Sequence, residues 1–265
     1  MTAVSETSSR PVQGRMAGKI CLVTGGGSGI GRATALLMAN EGAAAVIVAG
    51  RRVAEGEAAA DACLAAGTES LFVRTDVTDE EDVSRLVRTA TERFGRIDVV
   101  FNNAGHQEKR KPIEEQTGET FDAVFDANVR SVFLCLRHQI PAMLSGGGGS
   151  IVINASVSGM RNPNPGLSLY SASKAAVISL MRSAAMECAP RGLRINAVAP
   201  GRVVTDMMMA AVSFIGGVET VAAGLPLRRM GRPEEVAEAA VWLASDQSAY
   251  VVGHVLAADG GFLSG

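Results

Sequence analysis

The chain has 265 residues, 47% of them hydrophobic and only 4% aromatic, so a large core has to be built mainly from aliphatic side chains. A net charge of −2 gives no reason to expect a nucleic-acid partner, and no basic amphipathic segment suggests a membrane surface. Four scattered cysteines without metal-like spacing indicate the reduced, buried thiols of a cytoplasmic protein and no metal site. No apolar run approaches the roughly 18 residues that a membrane span requires.

Apolar runs alternate with helical patterns along the whole chain. The predicted strands cover residues 19–24, 44–49, 71–75, 98–101, 151–155, 195–199 and 255–258. The predicted helices cover residues 29–41, 54–66, 78–94, 120–144, 168–187 and 233–244, and residues 78–81 form a capping-box pattern. The strands are continuous apolar runs, which is typical of a parallel sheet covered by helices on both faces. We therefore predict an α/β fold.

The chain shows no linker or internal repeat beyond its N-terminal end. Residues 1–16 are polar and lack the apolar region of a signal peptide, so they are predicted to be a flexible tail. Residues 17–265 are predicted to form one domain, with a flexible hinge at the glycine run 146–149. The segment 205–225 is rich in methionine and glycine. It is predicted to be a lid over an apolar substrate, with core or subunit contact as an equal alternative.

A glycine-rich loop joins the first predicted strand to the first predicted helix. Its sequence is TGGGSGIG, residues 24–31. Glycines let a backbone approach a pyrophosphate closely, and a helix N-terminus offers free N–H groups and a favourable dipole. Because the loop lies between a strand and a helix, it predicts a dinucleotide site, although its spacing is not the standard GxGxxG.

Tyr170 and Lys174 lie four residues apart, on one face of the predicted helix 168–187. A free tyrosine has a pKa near ~10, and lowering it to ~7 requires about 4 kcal/mol of stabilisation of the phenolate. A cation roughly 4 Å away supplies energy of that order at an effective dielectric of ~20. Taken alone the pair is an ordinary surface contact, but beside a dinucleotide site it predicts a proton donor and acceptor.

Three motifs in this order resemble the short-chain dehydrogenase/reductase family: the TGGGSGIG loop, the Asn-Asn-Ala-Gly turn at 102–105, and Tyr170-x-x-x-Lys174. The resemblance covers about residues 17–262. It implies a single Rossmann-like, doubly wound parallel sheet of about seven strands, with helices on both faces. It also implies hydride transfer between a nicotinamide cofactor and the carbinol or carbonyl carbon of a secondary alcohol or ketone.

The resemblance assigns roles to four catalytic residues. Tyr170 exchanges the proton of the substrate oxygen, while Lys174 lowers the pKa of Tyr170 and reaches the nicotinamide ribose. Ser156 hydrogen-bonds the substrate oxygen, with Ser158 as the competing candidate in the same turn. Asn128 holds a water that links Lys174 to solvent, and an asparagine in mid-helix also hints at a local kink.

The resemblance also implies a set of cofactor-binding residues. Asn103, Ala104 and Gly105 would line the adenosine side, Asp76 and Val77 the adenine ring, and the segment after the sixth strand the nicotinamide carboxamide. The complete set is Gly25, Ser28, Gly29, Ile30, Gly31, Arg51, Arg52, Asp76, Val77, Asn103, Ala104, Gly105, Tyr170, Lys174, Pro200, Gly201, Val203 and Thr205.

The end of the second strand predicts a preference for NADP(H), with NAD(H) still possible. NAD enzymes place an acidic residue there for the ribose 2′-hydroxyl, but here Gly50 is followed by Arg51 and Arg52. Guanidinium groups match a phosphate in bidentate geometry. The alternative is that both arginines are solvated charges at a helix start, and Ser28 stands where many NADP members of the family carry a basic residue.

The substrate is predicted to be a small alcohol or ketone, and the sequence does not name it. A 3-oxoacyl-thioester reductase is the alternative within the enzyme class, and a non-catalytic protein that senses NAD(P) is the alternative from another class. Family members are usually homotetramers, and a small-residue face of the Tyr170 helix would permit such contact. That face comprises Ala172, Ala175, Ala176, Ser179 and Ser183.

Overall fold

The computed structural model describes residues 14–162, 165–212 and 216–264. Across these residues seven strands form one parallel sheet in the order β3-β2-β1-β4-β5-β6-β7. They are β1 (Ile20–Thr24), β2 (Ala45–Gly50), β3 (Glu69–Arg74), β4 (Val99–Asn102), β5 (Gly149–Asn154), β6 (Leu193–Pro200) and β7 (Val255–Ala258). The predicted α/β class and the seven-stranded, doubly wound parallel sheet are confirmed.

Helices cover both faces of the sheet. They are α1 (Gly29–Asn40), α2 (Val53–Ala65), α3 (Glu80–Phe94), α4 (Gly118–Phe125), α5 (Ser131–Ser145), α6 (Ser168–Cys188), α7 (Asp206–Val212), α8 (Gly217–Ala223) and α9 (Pro233–Ala244). Alternate strand residues point to opposite faces. Leu22 accordingly packs in the core under α3, α5 and α6, and Val23 packs in the core under α1, α2 and α9.

The predicted capping box is wrong by one residue. Asp79 is the N-cap of α3, where its carboxylate accepts hydrogen bonds from the backbone N–H groups of Glu81 and Asp82. The hydroxyl of Thr78 donates instead to Asp76, at 2.8 Å. An aspartate accepts at an N-cap as well as a threonine does, and here the turn before the helix engages the threonine.

The single helix predicted over residues 120–144 is interrupted. α4 ends at Phe125 and α5 begins at Ser131, and residues Asp126–Arg130 form one π-helical turn between them. Such turns occur mostly as single insertions and frequently lie at functional sites. Asn128 lies inside this π turn, and the kink predicted there stays a prediction.

The glycine run 146–149 is not a hinge. Gly148 donates a backbone hydrogen bond to the Met143 carbonyl, and Gly149 donates to Gly192 and begins β5. A Cβ on Gly149 would lie 2.1 Å from the Asp98 carbonyl oxygen, and one on Gly148 would lie 2.3 Å from that of Gly192. These glycines are required by close backbone packing, a constraint that the sequence pattern does not reveal.

The N-terminal part of the described chain is fastened to the domain. Met16 is fully buried, although the predicted tail included it, and Arg15 forms ion pairs with Glu41 and Glu238. Residues 1–13 of that tail lie outside the described residues. All four cysteines are buried free thiols. In the portion of the chain that the structure covers, no single helix is long and apolar enough to cross a membrane, while α7 and α8 could do so only as a bent pair, judged by length and composition.

Candidate active site

A cavity of about 370 Å³ lies at the carboxyl ends of the strands. The chain reverses its direction of winding between β1 and β4, and ligands of open α/β sheets bind at such a switch point. The cavity brings together residues from nearly every predicted motif. Its walls include Gly25, Ser28, Gly29, Ile30, Arg51, Arg52, Asp76, Val77, Asn103, Ala104, Gly105, Ser156, Tyr170, Lys174, Pro200, Gly201, Val203 and Thr205. Gly31 and Asn128, also predicted, are not among the residues that line it.

The glycine loop between β1 and α1 forms one side of the cavity. Gly25 and Gly29 adopt positive φ angles of 62° and 50°, which favour glycine. Glycine is required at position 31 for a different reason, because a Cβ there would lie 2.3 Å from the Gly25 carbonyl oxygen and 2.5 Å from Asn103 Nδ2. The N-cap Ser28 gives no side-chain cap to α1. The loop therefore packs closely against its neighbours and leads into the N-terminus of α1 at the cavity wall, where helix N–H groups can bind a pyrophosphate.

Asn103 ties three strand ends together beneath the cavity. Its side-chain amide donates to the carbonyl oxygens of Thr24 and Gly25, both at 3.1 Å, and its Oδ1 accepts from Asn154 Nδ2 at 2.8 Å. The Thr24 hydroxyl accepts from the backbone N–H of Asn103 at 3.0 Å. The side chain of Asn103 is thus occupied within the protein, and its contribution to the cavity is mainly the shape of the turn.

The end of β2 is basic. Arg52 donates to the Ser28 hydroxyl at 2.6 Å and pairs with Glu55 at 3.0 Å, while Arg51 lies 3.9 Å from an Asp76 carboxylate oxygen with most of its side chain exposed. The other oxygen of Asp76 accepts from the backbone and hydroxyl of Thr78. Asp76 therefore caps the turn after β3 as well as lining the cavity.

Ser156, Tyr170 and Lys174 converge at the opposite end of the cavity. Ser156 follows β5 and begins a short 3₁₀ turn, with its Oγ accepting from the Ser158 backbone N–H at 3.1 Å, and its side chain is hydrogen-bonded to the Tyr170 phenol. Lys174 is only 4% exposed and donates to the Asn154 carbonyl oxygen at 2.8 Å. Its Nζ lies 5.7 Å from the centre of the Tyr170 ring.

Burial has the largest effect on the pKa values of Tyr170 and Lys174. Desolvation raises the pKa of Tyr170, the Ser156 hydrogen bond lowers it, and the negative charge of Glu108 raises it. Burial also lowers the pKa of Lys174 to about 8. In the protein chain alone the pKa of Tyr170 is set by burial, Ser156 and Glu108. The role of Lys174 in lowering it stays a prediction.

Asn128 lies in the π turn and is almost fully buried, at 1% exposed. Its Nδ2 donates to the His106 carbonyl oxygen at 2.8 Å and to the Ser173 hydroxyl at 2.9 Å, and its Oδ1 accepts from the His106 backbone N–H at 2.7 Å. Gly105 separates it from Lys174, since a Cβ there would lie 3.1 Å from Asn128 Oδ1 and 3.5 Å from Lys174 Nζ. Asn128 therefore fastens the loop after β4 to α6, and its predicted water stays a prediction.

The structure adds two residues that the sequence analysis did not select. Glu108, in the polar run 106–111, is 4% exposed and binds the N-terminus of α6. Asn154 Oδ1 is one of the few buried side-chain atoms of the described chain with no hydrogen-bond partner in the protein, and it belongs to a cavity-lining residue. No sequence signal identifies either residue, because each role depends on a distant segment.

The predicted lid consists of two short helices, α7 and α8. Met207 and Met208 line the cavity, and Met208 also packs against a small buried cluster formed by Val212, Leu225 and Met230. The segment thus contributes both to the cavity wall and to a core of its own. Residues 213–215, in the middle of the predicted lid, lie outside the described residues.

The parallel sheet, the switch-point cavity and the glycine loop define the class of Rossmann-type dinucleotide-binding enzymes. A family model described as enoyl-(acyl carrier protein) reductase matches residues 25–263. The chain belongs to the short-chain dehydrogenase/reductase family. It is an NAD(P)-dependent oxidoreductase that acts on CH–OH groups, of the type that handles alcohols, ketones or 3-oxoacyl compounds.

Three relatives show the range of named activities. The chain is 43% identical to cis-4-hydroxycyclohexanecarboxylate dehydrogenase of Sinomonas cyclohexanicum, over 92% of this chain and 96% of that protein. It is 40% identical to the 3-oxoacyl-(acyl-carrier-protein) reductase of Thermotoga maritima, over 94% and 99%. The crystal structure of a levodione reductase superposes with a TM-score of 0.89 at 38% identity, covering 93% of this chain and 98% of the other.

Proposed function

We propose that the protein transfers a hydride between NADP(H) and the carbonyl or carbinol carbon of a secondary alcohol or ketone, with Tyr170 as general acid and base. The observation that carries the proposal is the junction of Ser156, Tyr170 and buried Lys174 in the same cavity as the glycine loop. A structural protein has no use for a buried ammonium beside a phenol, because burial of that charge is costly.

The cavity fits a dinucleotide. The glycine loop brings the N-terminus of α1 to the cavity wall, where it can bind a pyrophosphate, and the unpartnered Asn154 Oδ1 belongs to a residue that lines the cavity. By family resemblance, the glycine loop, Asp76, Val77 and the 103–105 turn would hold the adenosine half. Lys174 and the segment 200–205 would hold the nicotinamide half. The cofactor, when bound, supplies or accepts the hydride.

The protein groups handle the substrate oxygen and its proton. A phenol whose pKa is raised stays protonated at neutral pH, so Tyr170 is prepared to donate a proton to a carbonyl oxygen during reduction. Ser156 shares that oxygen through a second hydrogen bond, and the contact between Ser156 and the phenol favours it over Ser158. By family resemblance, Lys174 and a water held by Asn128 would carry a proton from solvent back to Tyr170.

The preference for NADP(H) rests on the basic end of β2. β2 ends at Gly50, the position where an NAD enzyme would carry an acidic residue. Arg51 and Arg52, which follow it, both line the cavity. Arg51 is held only by a 3.9 Å approach to Asp76 and is free to turn toward a 2′-phosphate. The acids nearest to these arginines are Asp76, which accepts hydrogen bonds from Thr78, and Glu55, which pairs with Arg52.

The test is a panel of secondary alcohols and ketones with NADPH and NADH, followed by nicotinamide absorbance. We expect turnover with kcat/KM higher for NADPH. Tyr170→Phe should lower kcat by about 100- to 10,000-fold while cofactor affinity is kept. Tyr250→Phe is the matched control, since Tyr250 is fully exposed. Full activity in Tyr170→Phe would refute the assignment, and a kcat/KM ratio of NADPH to NADH below one would refute the cofactor preference.

A 3-oxoacyl thioester belongs in the same panel, because relatives of this chain carry that name. A kcat/KM for the thioester well above those of simple ketones would favour the acyl-reductase alternative. Tight NADPH binding without turnover on any member would instead favour the cofactor-sensing alternative. The two outcomes differ in whether NADPH is consumed at all.

We also propose a cytoplasmic homotetramer. Ala172, Ala175, Ser179 and Ser183 are exposed along α6, and the large apolar side chains of Phe133 and Phe121 are exposed on the neighbouring α5 and α4. A face of small residues beside exposed aromatic rings suits close helix pairing between subunits. Light scattering should give four times the 27.4 kDa mass of one chain, and a monomer would contradict the proposal.

A further inference from the structure

A buried carboxylate holds the N-terminus of the helix that carries Tyr170. Glu108 lies in the loop after β4 and is 4% exposed. Its Oε1 accepts from the backbone N–H groups of Leu169 and Tyr170, and its Oε2 accepts from that of Tyr170, all at 3.1 Å. Because Leu167 is the N-cap residue of α6 and provides no side-chain cap, Glu108 supplies the cap from about sixty residues earlier in the chain.

The loop that carries Glu108 is fastened on both sides. Asn128 holds the backbone of His106 through both its N–H and its carbonyl. Beyond Glu108, the Lys111 N–H donates to the Gly166 carbonyl oxygen, and the Arg110 guanidinium donates to that of Pro165. The carboxylate is therefore fixed against the first turn of α6, and it fixes the backbone of Tyr170 in turn.

The position of Glu108 also gives it an electrostatic effect on the phenol. The groups that face Tyr170 are the Ser156 hydroxyl from the β5 end, Lys174 from the next turn of α6, and Glu108 from the loop after β4; His106 lines the same cavity. Arg110 is the cation that interacts with Glu108. A negative charge disfavours the phenolate, so Glu108 opposes ionisation of Tyr170 while it anchors the backbone at that residue.

We infer that Glu108 is a positioning residue for the proposed reaction: its carboxylate anchors the backbone of Tyr170, and it places a negative charge beside the residue that donates the proton. The inference rests on the proposed role of Tyr170. It assigns two separable contributions to one side chain, the hydrogen bonds to the helix and the charge near the hydroxyl.

Two variants separate the contributions. Glu108→Gln keeps an acceptor oxygen for the helix N–H groups but removes the charge. The midpoint of Tyr170 ionisation should then move to lower pH, because the negative charge that disfavours the phenolate is gone. Glu108→Asp keeps the charge but is too short to reach α6 equally well. It should lower kcat by about tenfold, with a smaller change in the midpoint and little change in the KM for NADPH.

Ionisation can be followed without any substrate. The chain has two tyrosines, so in a Tyr250→Phe background Tyr170 is the only phenol whose phenolate absorbance appears on raising the pH. The pH profile of kcat/KM gives a second measurement of the same group. Glu114→Gln is the matched control, because Glu114 is an exposed acid on the same connection between β4 and α4. Melting temperatures establish that each variant is folded.

The outcomes are distinct. An unchanged midpoint in Glu108→Gln together with unchanged kcat in Glu108→Asp overturns the inference, even if Tyr170→Phe is inactive. Full activity of Tyr170→Phe overturns the proposed function instead. If Glu108→Gln does not fold, Glu108→Asp decides the matter through its kcat, and a fall in kcat with the midpoint unmoved supports the anchoring role.

Discussion

The burial of the Lys174 ammonium costs the folded protein free energy. Its ammonium is buried and donates to the Asn154 carbonyl oxygen, and burial lowers its pKa to about 8 from the ordinary 10.5. The unfolded chain therefore binds more protons than the folded chain between these pH values. By linkage, the stability of the folded protein is reduced in full below about pH 8, and this loss is relieved as the pH rises toward 10.5.

We expect Lys174→Met to be more stable than the wild type at pH 7 and inactive. The pKa difference corresponds to about 3 kcal/mol, and loss of the hydrogen bond to Asn154 offsets about 1 kcal/mol of it, which leaves a gain on the order of 2 kcal/mol. Urea unfolding at pH 7 and at pH 9.5 measures the free energies, and the gain should shrink at the higher pH. Lys111→Met, at an exposed position, is the control. A variant less stable than the wild type at pH 7 would contradict this account.

At the level of elements, the active site depends on contact between the turn after β5 and α6. Gly159 ends the short 3₁₀ turn that begins at Ser156, and it packs directly on the backbone of α6. A Cβ at Gly159 would lie 2.6 Å from the Lys174 carbonyl carbon and 2.8 Å from its oxygen. The glycine therefore sets how closely Ser156 and Tyr170 approach each other.

Gly159→Ala should push the turn and α6 apart. Backbone atoms cannot rotate away as a flexible side chain can, so we expect a loss of about 1–3 kcal/mol in stability and at least a tenfold loss in kcat. Gly118→Ala, at an exposed helix start with nothing near the added Cβ, is the matched control. Thermal melting and steady-state kinetics provide both measurements. Unchanged kcat in a folded Gly159→Ala protein would show that this contact does not position the site.

Sequence patterns located most elements because apolar runs and helical periodicity are local properties. All seven strands lie within a few residues of their predicted limits, and the Tyr170 helix begins at Ser168 as expected. The features that the patterns missed depend on partners far along the chain. Gly149 meets the carbonyl oxygen of Asp98, and Glu108 is buried because it binds backbone N–H groups near Tyr170. A polar run with a buried acid is locally indistinguishable from a solvated loop.

For the molecule as a whole, the cavity joins the two halves of the sheet. The glycine loop, Arg51 and Asp76 come from the β1–β3 half, whereas Tyr170, Lys174 and Thr205 come from the half beyond β4. A dinucleotide that spans the cavity binds only the assembled fold. It therefore stabilises the protein by mass action, about 2.7 kcal/mol at a ligand concentration of 100 times Kd.

We expect NADPH to raise the melting temperature by about 5–10 °C at such a concentration, given the usual shift per kcal/mol for a chain of this size. At equal concentration NADH should raise it less.

Arg51→Ala should reduce the NADPH shift to the level of NADH, because one charge-assisted contact to the 2′-phosphate is lost, equivalent to roughly 10- to 100-fold in Kd. Arg88→Ala, an exposed arginine of α3 outside the cavity, is the control. Because Tyr170→Phe should keep the full shift while losing turnover, this measurement separates cofactor selection at β2 from chemistry at α6. An NADPH shift in Arg51→Ala equal to that of the wild type would show that Arg51 does not select the cofactor.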